Sequence, residues 1–167
     1  MTAMRYLPFL LAALLVGCGL FRDDPPPPSV AEARPEPPKT TLHLDIAVLP
    51  SVNPNSSGKP TPVEVLVYQL AYEQPFLTAD FFKLYQQQEI QALGNSLLDT
   101  RRLMLAPGES LKLDWELRAG VHHIGVAAVF RSYQQAEWRK SAPVAEGVAN
   151  RLAIRIEGLK VSVEAAP

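Results

Sequence analysis

Hydrophobic and polar positions alternate with a period of two over most of the chain after residue 40. In 41–49, Leu42, Leu44, Ile46 and Val48 share one face, with His43 and Asp45 on the other. Residues 111–117 (Leu-Lys-Leu-Asp-Trp-Glu-Leu) alternate without a fault. Leu152, Ile154 and Ile156 alternate with Ala153, Arg155 and Glu157, and Leu159, Val161 and Val163 with Lys160, Ser162 and Glu164. Such segments predict half-buried antiparallel strands. Residues 63–72 and 121–131 are apolar on both faces over much of their length, which predicts central strands or strands covered on both sides. Residues 97–105 form a weaker candidate.

Turn residues separate these runs. Ala106-Pro107-Gly108-Glu109 puts Pro and Gly at the centre of a turn, the type II arrangement. Arg118-Ala119-Gly120 and Gly158 mark further breaks. Seven or so short strands with such turns predict an all-β fold, a two-sheet antiparallel β-sandwich. One segment, 78–88, departs from period two. Thr78 stands as an N-cap, Asp80 lies in the first turn, and Phe81, Leu84, Tyr85 and Gln88 follow at helical spacing. This predicts a short inserted amphipathic helix with its aromatic stripe packed on the sandwich. A partner surface is the alternative use of that stripe.

The first forty residues have a different character. Arg5, then an apolar run from Leu7 to Val16, then Gly17-Cys18 follow the layout of a bacterial export signal. The apolar run, about ten residues, is too short to cross a bilayer, which takes roughly 20. Leu15-Val16-Gly17-Cys18 resembles a lipobox, and Cys18 is the chain's single cysteine. The resemblance implies cleavage before Cys18, acylation of that residue, and a signal peptide of residues 1–17. Residues 18–39 follow as a tether containing Pro25–Pro28, Pro35, Pro37 and Pro38. Such a segment favours polyproline II and, at ~3.1 Å per residue, reaches about 60 Å. The β-sandwich domain is expected over 40–167.

Composition narrows the function classes. The chain has 16 Lys+Arg and 17 Asp+Glu; residues 1–17 hold one base and no acid, leaving 15 against 17, a net charge of −2. Nucleic-acid binding demands a basic face, and this balance does not supply one. With one cysteine the domain holds no internal disulfide. His122 and His123 are adjacent in a strand and leave by opposite faces, and His43 lies on another strand, so no metal site is expected. No nucleophile motif, Ser-His-Asp spacing or glycine-rich phosphate loop is present. Asp114 and Glu116 share a solvated face. Trp115 falls on the apolar side of its strand and Trp138 follows a polar stretch, where a core plug and an exposed anchor are both open. Neither an enzyme nor a cofactor is expected.

The stretch Pro50–Pro62 joins the first two strands. It is far longer than a hairpin link, and long loops on rigid scaffolds often carry function. Its prolines and Asn-Pro turns limit the entropy lost on docking. A plain crossover between two sheets is the other reading.

Four segments together resemble one family. Asn53-Pro54-Asn55-x-x-Gly58-Lys59-Pro60-x-Pro62 leads into Val63–Leu70. Ala79–Tyr85, Leu105–Glu109, and Ile124–Arg131 followed by Ala136-Glu137-Trp138-Arg139 come after. With the lipobox, this set resembles the TssJ (SciN) family of type VI secretion outer-membrane lipoproteins. Phe130 and Ser132 depart from the residues usual there, Tyr and Asp. The resemblance implies a transthyretin-like sandwich with a helical insertion. It also implies binding to the periplasmic C-terminal region of the inner-membrane protein TssM through Asn53, Pro54, Asn55, Gly58, Lys59 and Pro60. Gly19 after Cys18 looks like a signal for the outer membrane, where the acyl chains would hold the protein on the inner leaflet. A rival from another class is a lipid-anchored glycan- or peptidoglycan-binding module, with Trp138, Tyr133 and Tyr72 as stacking candidates. A transthyretin-related hydrolase is a third, but its C-terminal Tyr-Arg-Gly-Ser signature is missing.

Overall fold

Eight strands form two four-stranded sheets in a computed structural model that describes residues 39–166. The signal, Cys18 and nearly all of the tether lie outside the described residues. The strands are β1 (Thr41–Val48), β2 (Val63–Leu70), β3 (Leu97–Leu105), β4 (Ser110–Glu116), β5 (His123–Val129), β6 (Arg139–Pro143), β7 (Asn150–Glu157) and β8 (Lys160–Ala165). One sheet has the order β4-β1-β7-β8, the other β3-β2-β5-β6.

The period-two runs fold as sandwich strands because each has one apolar face to bury. Leu42, Leu44, Ile46 and Val48 of β1 meet Val63, Val65 and Val67 of β2 across the interior, with Ile124, Val126, Leu152, Ile154 and Ile156 around them. Trp115 joins this core from β4, 4% exposed. The sandwich is antiparallel as expected, with one exception. β1 pairs antiparallel with β4 but parallel with β7, in register Leu44 to Leu152. Alternation says which face is buried and nothing about the direction of a neighbour. β6 was not among the expected strands; it is five residues long, shows no clean alternation and ends in a proline.

Residues 63–70 are apolar on both faces for a structural reason. Leu66, Tyr68 and Leu70 point away from the sandwich interior and are covered by Phe76, Leu84 and Leu93 from the helical insertion. That insertion is not the single helix predicted over 78–88. It is three short helices, α1 (Gln74–Thr78), α2 (Phe81–Tyr85) and α3 (Glu89–Leu93). Thr78 closes α1, its hydroxyl bonded back to the Gln74 carbonyl, and the N-cap of α2 is Asp80. The Asp80 carboxylate accepts from the Phe82 and Lys83 amides at 2.9 and 3.3 Å. Gln87, at φ 62°, breaks α2 from α3.

A half-buried ionic cluster fastens the insertion to the sheet. The Arg102 guanidinium donates to Glu64 at 3.1 Å, to Glu89 at 3.0 Å and to the Leu84 carbonyl at 3.0 Å. Burial pulls this guanidinium's pKa down, but the bonds to Glu89 and Glu64 and their charges outweigh it and hold it above its ordinary value. On the other side, Arg139 Nη1 donates to the carbonyls of Phe76 and Ala79 at 3.0 and 2.6 Å, locking the α1–α2 junction.

Candidate partner-binding surface

β1 leaves one sheet at Val48 and β2 enters the other at Val63, so the loop between them does cross from sheet to sheet. Both readings of this loop therefore describe part of it. Its first half is built into the domain and its tip is free.

Val52 is fully buried and Asn53 is 3% exposed. Asn53 adopts φ 45°, a left-handed conformation that Asn tolerates better than most residues. Its polar groups are engaged within the domain. The backbone amide donates to Gly158 O at 2.8 Å, Nδ2 donates to Pro62 O at 2.8 Å, and Oδ1 accepts from the Arg131 amide at 2.9 Å. The Thr61 hydroxyl donates to the Asn53 carbonyl at 2.6 Å. Asn53 thus joins the loop to the β7–β8 turn and to the segment after β5.

From Pro54 onward the chain turns outward. The Asn55 Oδ1 accepts from the Ser57 amide and hydroxyl at 3.0 and 2.8 Å and from the Lys59 amide at 2.9 Å. Two backbone bonds, Asn55 N to Lys59 O and Gly58 N to Asn55 O, both 2.9 Å, complete a closed tip. Gly58 sits at φ 75°, where a side chain is strained even though the space around it is open. Ser56 to Lys59 are exposed, and Pro54, Asn55 and Pro60 are half-buried. Of the six residues singled out in sequence, five form this presented tip. Asn53 stands beneath it, buried and bonded within the domain.

Other elements meet the loop at the same pole. The Gly108 amide donates to Val48 O at 3.0 Å, placing the Pro107-Gly108 turn beside Pro50. That turn is as predicted, with Gly108 at φ 83° and Glu109 N bonded to Ala106 O. Arg131, exposed, donates from Nε to the Thr61 hydroxyl at 3.4 Å. Sequence reasoning missed Arg131 and Gly158 as loop partners, and no local signal could have found them. They lie 78 and 105 positions from Asn53 along the chain.

Lys39 enters β1 at the opposite pole. There a cleft of about 580 Å³ is lined by Arg101, Trp115 and Arg118 among others. The Arg101 guanidinium lies 5.0 Å above the Trp115 ring, and the rim charges pair as Arg118–Asp99 (3.3 Å) and Lys39–Glu116 (3.5 Å). Gln69, fully buried, ties the two sheets together at this end by donating to Glu116 O and accepting from Arg118 N. Asp114 pairs with His43 at 2.6 Å on the outer sheet face. His122 is exposed, and His123 lies half-buried with no bond to Nδ1. No group of three metal-ligating side chains occurs among the described residues. No helix among them is long and apolar enough to cross a membrane. Trp138 is neither a full plug nor a free anchor. It is half-buried, edge-on to Phe81 at 5.1 Å, with Arg139 stacked 4.4 Å from its ring.

Residues 40–159 match the family profile described as "Type VI secretion lipoprotein, VasD, EvfM, TssJ, VC_A0113". The chain belongs to the TssJ (SciN) family. Solved structures of the TssJ type agree. The type VI secretion lipoprotein TssJ1 of Pseudomonas aeruginosa is 25% identical with a TM-score of 0.73, covering 78% of this chain and 98% of its own. Serratia marcescens Lip, described as a membrane-bound component of the type VI secretion system, is 26% identical at a TM-score of 0.68, covering 74% and 96%. A chain in the structure described as "T6SS protein TssM C-terminal domain (869-1107) from EAEC" is 25% identical at 0.59, covering 77% and 98%. A comparison with curated proteins returned no match. The TssJ sandwich is thus the fold of this chain, and the family is one of lipoproteins of the type VI secretion system.

Proposed function

We propose that this chain is a non-enzymatic outer-membrane lipoprotein that binds the periplasmic C-terminal region of TssM and so helps build the trans-envelope complex of a type VI secretion system. In this reading residues 1–17 are the signal peptide, Cys18 carries the acyl chains on the inner leaflet, residues 18–39 are a proline-rich tether and 40–167 the binding domain. Several acyl chains are needed, because one alone holds a protein only marginally.

The observation that carries the reading is the placement of the two ends of β1. Lys39, where the tether joins, and the 54–60 tip stand at opposite poles, separated by the eight residues of β1, about 25 Å at 3.3 Å per residue. A domain anchored at one pole presents its rigid tip away from the membrane, where a periplasmic partner stands. The family membership, and the likeness to a chain in a TssM C-terminal-domain structure, support TssM as that partner.

Two experiments test it. With Cys18→Ala the domain is expected to remain folded and to fractionate as a periplasmic protein while secretion is lost; persisting secretion removes anchoring from the account. Full-length lipoprotein in detergent is expected to bind the periplasmic region of TssM from the same system, and absence of binding ends the partner assignment.

A further inference from the structure

The insertion exposes more aromatic surface than its packing requires. Phe81 fills the inward position of α2, 8% exposed, while its neighbours Phe82 and Tyr85 are 44% and 43% exposed. Tyr133, from the β5–β6 connection, stacks on Phe81 with centroids 4.2 Å apart and planes 9° apart, and meets Phe82 edge-on at 5.2 Å. Tyr85 lies 6.1 Å from Phe81. The result is one contiguous aromatic patch on a flank of the molecule.

The segment that carries Tyr133 is tied to the base of the loop. Asn53 bonds the Arg131 amide, and Tyr133 follows two residues later. The patch is also held rigidly. Asp80 caps α2, Arg102 holds the Leu84 carbonyl, and Arg139 holds the Ala79 carbonyl. Rigid aromatic side chains lose little entropy on binding and are enriched where interfaces concentrate their energy. Charge adds a second feature. Lys59, Lys83 and Arg131 are exposed and form no ion pair with any described residue, whereas the acids on the adjoining segments are committed, Asp80 to helix amides and Glu137 to Lys160.

We infer that the footprint of the loop's protein partner extends across Arg131 onto Phe82, Tyr85 and Tyr133, and that the partner meets it with an apolar surface rimmed by carboxylates. The inference rests on the loop-binding reading given above. The loop tip supplies seven residues, 54–60, and a stable interface takes about 20 to 30 per side. The tip therefore needs a contiguous extension, and the aromatic flank supplies the apolar centre that the loop's prolines and serines lack. A rim of unpaired cations sets the sign of the partner's rim and makes association faster at low salt.

The test titrates full-length lipoprotein in detergent with the periplasmic region of TssM, using Phe82→Ala/Tyr85→Ala, Lys83→Glu and the loop variant Lys59→Glu. The aromatic double variant is expected to bind at least tenfold more weakly while still folded at the assay temperature, as circular dichroism checks. Lys83→Glu, which alters only an exposed charge, is expected to weaken binding at 50 mM salt and to approach wild type at 500 mM. If Lys59→Glu weakens binding while the double variant and Lys83→Glu bind as wild type, the extension is wrong and the loop reading stands. If wild type does not bind TssM at any salt, both fall. If the double variant keeps its TssM affinity but no longer sediments with purified peptidoglycan as wild type does, the patch is a glycan platform and the inference is overturned.

Discussion

The side-chain oxygen of Asn53 accepts a hydrogen bond from the backbone amide of Arg131 at 2.9 Å. That bond joins the β1–β2 loop to the segment that follows β5, and with the bonds to Gly158 and Pro62 it makes the base of the presented loop part of the folded body. Stability and presentation are therefore divided between residues only two positions apart.

Asn53→Ala removes the acceptor for the Arg131 amide and the donor to Pro62, and puts at positive φ a residue that tolerates that conformation less well than Asn. Two lost bonds and an orphaned N–H amount to about 3 kcal/mol. The expected result is a melting temperature lower by about 10 °C, read by calorimetry. Weaker partner binding would follow from the disturbed loop base.

Asn55→Ala acts differently. It removes the acceptor that closes the tip onto Ser57 and Lys59, but touches neither sheet. The melting temperature is expected to stay within a degree or two, while affinity for TssM falls about tenfold because the loosened tip must be ordered on binding. Titration and calorimetry on the same preparation separate this from the Asn53 effect.

Arg102→Leu strips the counter-charge from Glu64 and from Glu89, which is 7% exposed. Leaving one buried and one half-buried carboxylate unpaired costs about 3 kcal/mol, the low end for a broken buried pair. The expected outcome is a large drop in the urea midpoint, with the helical insertion becoming protease-sensitive.

Gly125 packs under the insertion for a steric reason. A β-carbon there would stand 2.9 Å from Leu70 Cδ1 and 3.1 Å from two atoms of the Phe76 ring. Gly125→Ala is expected to destabilise by about 1–3 kcal/mol, the usual range for overpacking, and the same urea titration reads it.

Tyr68 gives a pH signature. Burial, then the charge of Glu89, pushes its phenol well above the ordinary value of 10.0. A folded-state pKa above the unfolded one means that the stabilising neutral phenol is fully present below about pH 10. Above it, stability falls by about 1.4 kcal/mol per pH unit as the unfolded chain ionises first. Denaturant midpoints between pH 8 and 11.5 are expected to drop more steeply for wild type than for Tyr68→Phe. At pH 8 the variant is expected to be no less stable, since the hydroxyl has no hydrogen-bond partner among the described residues.

These variants also mark what could be read before the fold was known. Every long alternating run became a strand, because burial of one face dominates its free energy; even the weaker candidate, 97–105, is β3. The doubly apolar 63–72 correctly signalled a second covering layer, supplied by Phe76, Leu84 and Leu93. The insertion differs locally from the single predicted helix, since Thr78 and Asp80 are both good capping residues two positions apart, and in the fold Thr78 closes α1 while Asp80 caps α2. Long-range polar ties were invisible. Nothing near Asn53 names Arg131, and nothing near Arg102 names Glu64. At the candidate site the loop's length and prolines were legible, but not which of its residues face inward.

β1 has one more consequence. It runs from the pole where the tether attaches to the pole that carries the loop, and it is hydrogen-bonded along its length to β4 on one side and β7 on the other. Tension between a lipid anchor and a partner gripping the tip would run through the covalent backbone of this already extended strand, so the rungs to β4 and β7 would carry little of the load. In the proposed role the sandwich would therefore sit beside the line of force rather than in it.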